Sequence, residues 1–296
     1  MKDVSVIIIN YNTASYTLKC IETVINKTAS SVSYEIIVVD NASELDDYND
    51  LKSQLPKREN VSLYRSKVNT GFGGGNMFGA AYASSKYLLF LNSDAFFLND
   101  CMSLLFNFME SNPKVGVITA QNYDEDGKFV PSFDHNKRLR RLLFGRRHLE
   151  KRDPKKYPNR KLEYETPLEV NWVNGALMFF RSDAFNLVGG FDTNIFLYFE
   201  EMDICQRLLN AGYKTMLVSE AKIEHIVGAS TKKSMAIVRE SFISYLYVIR
   251  KNYGFFNALI IRLYLIVSML FKPKKWKLIP LFLNPNMRAQ SLKNKQ

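Results

Sequence analysis

At 296 residues, with 47% hydrophobic and 23% charged side chains, the chain can bury a sizeable core, which excludes a disordered polymer. The formal net charge of +11 points to an anionic partner: nucleic acid, a phosphorylated ligand or an acidic membrane. Three widely spaced cysteines, Cys20, Cys101 and Cys205, exclude a disulfide framework and a thiolate zinc site and fit a reducing compartment.

Val4–Ile9 is a continuous, β-branched apolar run, the pattern of a strand covered on both faces, and it stops at Asn10-Tyr11-Asn12. Because this run starts almost at the first residue, we expect no signal peptide and a cytoplasmic protein. Leu18, Ile21 and Ile25 follow at helical spacing, and a second buried run, Ile36–Val39, ends in Asp40-Asn41. Strand, helix, strand at this length predicts a βαβ unit and a parallel sheet. A helix over roughly 44–55 and a strand at 61–64 come next, then a glycine-rich loop, "NTGFGGGN" (69–76), a small-residue helix and a strand at 87–91. Beyond a helix near 101–110 and a strand near 115–119, residues 121–170 are basic and aperiodic, with twelve Lys and Arg between Lys137 and Lys161. An irregular stretch of that length inside a compact domain is functional or mobile. Regular patterning returns at 170–180 and again at 189–218, where Ile204 and Leu208 mark a helix ending at Gly212. The last sixty residues read as helical and unusually apolar.

Alternation of strand and helix places Asn10 and Asn12, Asp40 and Asn41, and Asn92-Ser93-Asp94 along one edge of the sheet, where open α/β sheets bind ligands. Each group alone is also an ordinary turn. The Gly71-Phe72-Gly73 segment has Asn76 where a dinucleotide fingerprint needs its third glycine, and it lies far from the first strand, so the Rossmann reading fails. A carboxylate at a strand tip can hold Mg²⁺ or Mn²⁺ that bridges diphosphate oxygens. In "YFEEMD" (198–203), the helix dipole accounts for acids in a first turn, yet the same place suits a general base. His225, alternating with apolar residues in "KIEHIVG", reads first as a structural histidine.

Taken together and in order, "VSVIIINYN", "EIIVVDNAS", "NTGFGGGNMFGAAYASSKYLLFLNSDA", "WVNGALMFFRSDAFNLVGGFDTNIFLYFEEMDICQRLLNAGYK" and "IEHIVGAS" resemble glycosyltransferase family 2, in its bacterial rhamnosyltransferase-like branch. The resemblance covers roughly residues 3–230. It implies a GT-A fold, an α/β architecture with a mixed, mostly parallel central sheet flanked by helices. Its nucleotide-sugar-binding half would span 1–100 and its acceptor half 101–235, with the basic insert 121–170, followed by a C-terminal helical region, 236–296. It also implies an inverting, metal-dependent transferase. By position, Asn10, Tyr11, Asn12, Asp40 and Asn41 would line the base and ribose pocket. Asn69, Gly71 and Asn76 would lie near the diphosphate and sugar, with Asn92, Ser93 and Asp94 forming the DxD-like motif. Asp94 would bind the metal, and His225 matches a histidine near it. The base would be Glu201, the second acid of the pair Glu200-Glu201, where relatives usually carry Asp; Asp203 is the alternative. Arg207 and Trp172 match motif positions that are acceptor-side or structural, and Arg207 counts also with the donor side.

The partners that follow are a nucleotide-sugar donor (rhamnose from its dTDP form, or another hexose from a UDP-sugar) and a glycan or lipid-linked glycan acceptor. A basic nucleic-acid-binding module built on 137–161 is the rival from another class; we expect no nucleic acid. "GFFNALIIRLYLIVSMLF" (254–271) is bracketed by Arg250-Lys251 and by Lys272, Lys274 and Lys275. With Arg262 near its middle it is a poor spanning helix, so we expect it to lie in the interface of an anionic membrane, on the inner face of the cell membrane. A hairpin packed on the catalytic domain, or a homodimer contact through these helices, is the competing reading.

Overall fold

Val4–Asn10 (β1) has no polar face: Val4, Val6, Ile7 and Ile8 are all fully buried, so the strand must be covered on both sides. The rest of the architecture supplies that cover. The protein is described by a computed structural model over residues 2–226 and 234–295. The last part of the "IEHIVGAS" motif, residues 227–230, lies outside the described residues.

The first half alternates strand and helix as the sequence predicts: β1, Ala14–Lys27 (α1), Tyr34–Asp40 (β2), Leu45–Gln54 (α2), Val61–Arg65 (β3), Gly71–Ala80 (α3) and Tyr87–Asn92 (β4). A short strand, Ala95–Phe97 (β5), follows at once, then Cys101–Ser111 (α4) and Val115–Tyr123 (β6). The basic insert holds Phe129–Val130 (β7), Phe133–Asp134 (β8), Leu139–Phe144 (α5) and Arg146–Arg152 (α6). Leu168–Glu169 (β9), Trp172–Val173 (β10), Leu177–Arg181 (β11), Ser182–Leu187 (α7), Glu200–Asn210 (α8) and Lys214–His225 (β12) follow before the tail. The tail forms Met235–Tyr253 (α9), Phe255–Leu270 (α10) and Ile279–Leu283 (α11).

One sheet runs in the order β3-β2-β1-β4-β11-β6-β12-β5. Its β3-β2-β1-β4 portion is parallel, while β11 enters antiparallel between β4 and β6. The two halves of the chain therefore share a continuous sheet. Cys20, Ile21 and Val24 of α1 and Met102, Leu105 and Met109 of α4 cover one face. Phe185 of α7, with Ile204 and Leu208 of α8, covers the other, packed on Ile7, Phe90 and Phe180.

Three expectations are corrected. The glycine-rich segment is not a loop: Gly71–Ala80 is helix throughout. Its glycines let α3 lie directly on β1 and β2, since a Cβ at Gly79 would stand 2.6 Å from Ile7 Cγ2 and 3.0 Å from Val39 Cγ2. Gly79→Val is accordingly expected to cost about 2–3 kcal/mol through overpacking. A urea midpoint equal to that of the wild type would show that the sheet can yield there.

The insert, second, is not wholly irregular. Asp134 is buried and ion-paired with Arg141 at 3.0 Å and Arg160 at 2.7 Å, which ties α5 to the strand edge. His135 Nε2, 3.3 Å from Glu150, does the same for α6. Third, the strand expected to end near residue 119 continues to Tyr123, because β12 pairs alongside it that far.

The tail takes the packed-hairpin reading. α9 and α10 form a hairpin, and Ile243, Val248, Ile249, Ile261 and Met269 join Phe199 and Met202 in a third apolar cluster. Arg262, the charge that disfavours a spanning helix, bonds the Phe282 and Asn284 carbonyls at 2.6 and 2.7 Å. No described helix is both long and apolar enough to cross a membrane. The side of α10 turned away from the hairpin remains apolar and exposed.

Candidate active site

In-register pairing of β1 with β2 sets Asn10 opposite Asp40, and its pairing with β4 sets Ile9 opposite Asn92. The polar strand ends thus gather along one edge of the sheet. Asn10 is fully buried. Its Nδ2 lies 3.0 Å from Asp40 Oδ2 and 2.8 Å from Asp47 Oδ2, and its Oδ1 accepts from Thr17 at 2.8 Å. Asp40, also buried, takes an ion pair from Arg65 at 3.2 Å. Asn10 is therefore a bracket for Asp40, with no donor or acceptor left for a ligand. Tyr11 and Asn12 stand exposed at the rim; Asn12 adopts a positive φ of 55° so that its Oδ1 can accept from Glu44 N at 2.8 Å, at the start of α2.

Asn41 organises the start of α3. Its Nδ2 donates to Asn69 Oδ1 and the Gly71 carbonyl, both at 3.1 Å, and its Oδ1 accepts from Thr70 N at 3.0 Å. Gly71, at φ 73°, must be glycine: a Cβ would fall 2.0 Å from the Phe196 carbonyl oxygen. That close approach brings the start of α3 against the segment preceding α8. Asn76, one turn into α3, is buried with its Nδ2 unpartnered.

Asn92-Ser93-Asp94 is a turn and a candidate site. The turn joins β4 to β5, and Ser93 Oγ lies 3.1 Å from Thr13 Oγ1. β12 pairs His225 with Ala95, so the imidazole arrives beside Asp94, with Nε2 3.5 Å from Oδ1. Asp94 is 1% exposed, and that Oδ1 has no hydrogen-bond partner. A desolvated carboxylate oxygen beside an imidazole nitrogen fits a divalent cation, because it supplies the anionic and neutral donors that Mn²⁺ or Mg²⁺ accepts. Among the described residues there is no cluster of three His, Cys, Asp or Glu able to hold a metal. Further ligands would come from the diphosphate of a bound substrate and from water.

The three acids at the start of α8 separate by environment. Tyr198 and Phe199 precede the helix with φ of 70° and 71°, two consecutive left-handed residues without a glycine. Such positions are strained and persist only where the surroundings hold them. Here Phe199 is buried against Tyr245 of α9, and the Ser244 hydroxyl donates to the Leu197 carbonyl at 2.9 Å. Glu200 is 1% exposed with Oε1 unpartnered, and burial, reinforced by the Glu201 charge, holds its pKa well above the ordinary carboxylate value. Glu201 keeps partial access to solvent, and burial of its carboxyl raises its pKa too. Gly175 makes room for it: a Cβ there would lie 2.7 Å from Glu201 Oε1. The neighbouring Ala176 carbonyl accepts from Asn92 N at 3.0 Å, so Glu201 and the Asp94 turn flank the same short backbone segment.

Asp203 and Arg207 belong elsewhere. Asp203 has no exposed surface and is engaged by Arg207 at 2.8 Å, Lys251 at 2.9 Å and Asn252 at 2.8 Å. With both oxygens engaged and no exposed surface, it is closed to a substrate proton. The Arg207 guanidinium is spent on Asp203 and on the Val188 and Gly190 carbonyls, which removes it from the donor side. Their place in the motif does not report what the side chains touch.

Lys137 is a candidate site residue that the sequence does not single out. It was read only as part of a basic run, yet its Nζ sits 4.6 Å from the Phe199 ring centroid, and the Tyr245 hydroxyl donates to its carbonyl. Its charge opposes the effect of burial on Glu201, while burial lowers its own pKa. Nothing in the spacing of residues 137 and 201 signals that contact. Trp172, nearby in the third apolar cluster, has a buried Nε1 with no partner.

The sequence model of glycosyl transferase family 2 matches residues 5–183. An uncharacterized glycosyltransferase of Rickettsia bellii is 33% identical over 132 residues, 44% of this chain, which spans only 19% of that protein's length. The rhamnosyltransferase WbbL of Escherichia coli K12 is 28% identical over 218 residues, 71% of this chain and 78% of that one. The N-acetylglucosaminyl-diphospho-decaprenol L-rhamnosyltransferase of Mycobacterium tuberculosis is 25% identical over 228 residues, 70% and 73% of the two chains. Among solved structures, GalNAc-T7 with UDP, GalNAc and Mn²⁺ superposes with a TM-score of 0.59 over 84% of this chain and 48% of its own, at 17% identity. That likeness establishes the GT-A fold.

Proposed function

Since the chain belongs to glycosyl transferase family 2, we propose that it is an inverting, metal-dependent hexosyltransferase that moves rhamnose from dTDP-rhamnose to a growing or lipid-linked glycan on the cytoplasmic side of the membrane. The observation that carries this reading is the meeting of two unlike groups. A buried carboxylate–imidazole pair stands at Asp94 and His225, and Glu201, a residue with partial access to solvent, carries a carboxyl whose pKa burial raises. Both lie by the Asn92–Ala176 hydrogen bond.

The acceptor hydroxyl must lose a proton as it attacks the anomeric carbon, and the nucleoside diphosphate must leave with its charge balanced. Glu201 takes the proton; its raised pKa makes it a stronger base than a solvated carboxylate. Asp94 and His225 would hold the divalent cation, which supplies Lewis-acid stabilisation of the leaving diphosphate. Lys137 keeps enough of Glu201 ionised to accept a proton. Arg65 and Asn10 fix Asp40 at the nucleotide end of the cleft. The two rhamnosyltransferases among the relatives support rhamnose, and the decaprenol-linked substrate named for the mycobacterial one supports a lipid-linked acceptor.

The test is a donor panel scored by nucleoside diphosphate release with Mn²⁺ or Mg²⁺ present. Turnover of dTDP-rhamnose well above that of UDP-hexoses is the expected result. Preferential turnover of a UDP-hexose would keep the transferase reading and replace the sugar, whereas no turnover of any sugar nucleotide would defeat both.

A further inference from the structure

We propose that the outer face of α10 and the lysine-rich turn after it form a docking surface for an anionic lipid bilayer. Phe256, Ile260, Leu263, Val267, Leu270 and Phe271 recur at helical spacing, and all are exposed, Phe256 at 75% and Phe271 at 81%. The opposite side of the same helix, through Ile261 and Met269, is sealed against α9. The exposed residues therefore form a stripe about 22 Å long, not scattered surface side chains. A contiguous apolar face of this kind marks an interaction site.

Charge identifies the occupant. Residues 241–296 contain ten Lys and Arg and not one Asp or Glu. Lys251 is taken up by Asp192 and Asp203, and Arg262 by two carbonyls. Lys272, Lys274, Lys275 and Lys277 are exposed in the turn that continues the stripe, together with Trp276, 54% exposed. An apolar stripe ending in lysines and an interfacial tryptophan matches a bilayer with anionic headgroups, where acyl chains cover the stripe and phosphates meet the lysines. A second copy of the chain docked through the same face would bring two lysine-rich turns of like charge together. A glycan or free phosphate would leave the stripe in water.

The surface rests on the reading of the enzyme as a membrane-side transferase only for its use; its occupancy is tested without any sugar. Full-length protein is sedimented with vesicles of mixed phosphatidylglycerol and phosphatidylcholine, and with phosphatidylcholine alone. Wild type should pellet with the anionic vesicles and be only partly released by high salt, because apolar burial persists when the charges are screened. Lys272→Gln/Lys274→Gln/Lys275→Gln should weaken that partition about 100-fold, at roughly fivefold per lysine, and erase the preference for phosphatidylglycerol. Phe256→Ser/Val267→Ser/Phe271→Ser should lose the salt-resistant fraction. All six positions are on the surface, so unchanged melting curves confirm that the fold is intact.

Wild type left in the supernatant with anionic vesicles, or variants that pellet like it, would overturn the proposal. So would a lipid-free dimer that the apolar substitutions convert to monomer, since the stripe would then belong to a second copy. Failure of the donor panel with vesicle binding intact would remove the transferase reading and leave this surface standing.

Discussion

Glu201→Gln is expected to slow sugar transfer by about 10²–10⁴-fold while donor affinity stays near that of the wild type. The amide keeps the size and the hydrogen bonding of the carboxylate and loses only the ability to accept a proton. Because burial raises the Glu201 pKa, the wild-type rate should fall with decreasing pH through a point above the ordinary carboxylate range, and the variant should lack that limb. Glu200→Gln should behave oppositely. Burial holds the Glu200 pKa well above the ordinary value of 4.5, so a neutral amide imitates its protonated form, and turnover should survive. Its folded pKa is the raised one, so its stabilising contribution is complete below 4.5 and is lost as pH rises toward the folded value. The variant should therefore gain stability on the wild type as pH approaches neutrality. Asp203→Asn should cost about 3 kcal/mol of stability, because Arg207 and Lys251 lose the buried charge they share. A dead Glu200→Gln beside an active Glu201→Gln would reverse the assignment.

Asp94→Ala should lower turnover by about 10²–10³-fold, and excess chelator should do the same to the wild type without adding to the loss in the variant. Stability should not follow activity down. The Asp94 carboxylate has a buried oxygen without a partner, and the strand-end hydrogen bond here uses its backbone, whose carbonyl accepts from Ile226 N at 3.0 Å. Alanine removes a desolvated charge and keeps that bond, so the melting temperature should hold or rise. Full activity in excess chelator would defeat the metal assignment, and a melting temperature that collapses would make Asp94 a structural residue.

How far the site could be read in advance follows from how local each signal is. Unbroken β-branched runs fix Val4–Ile9 and Ile36–Val39 as buried strands, and strand–helix alternation brings Asn10, Asp40 and Asn92 to one edge. His225 joined them only through the motif, since the pairing of β12 with β5 is a long-range event without a local mark. The glycines at 71–79 misled because low helix propensity was weighed without the packing that overrides it: only residues without a Cβ let α3 lie on Ile7 and Val39. Asp203 and Arg207 sit within the motif, but their partners Lys251, Asn252 and the Val188 and Gly190 carbonyls are set by tertiary packing. Lys137 was hidden in a run of like charges, most of which lie outward.

The grip of α9 on α8 has a consequence for how the chain can be cut and recombined. Lys251 and Asn252 complete the shell of Asp203, two residues after Glu201, and Tyr253 donates to Gln206 at 2.7 Å. The family match ends at residue 183, yet the catalytic part cannot be treated as a detachable cassette. A chimera that exchanged the tail would strand a buried carboxylate and unseat the backbone at Tyr198-Phe199. Modularity therefore stops short of the C-terminus: the hairpin and the helix bearing Glu201 must be inherited together, whatever surface the far side of α10 has come to serve.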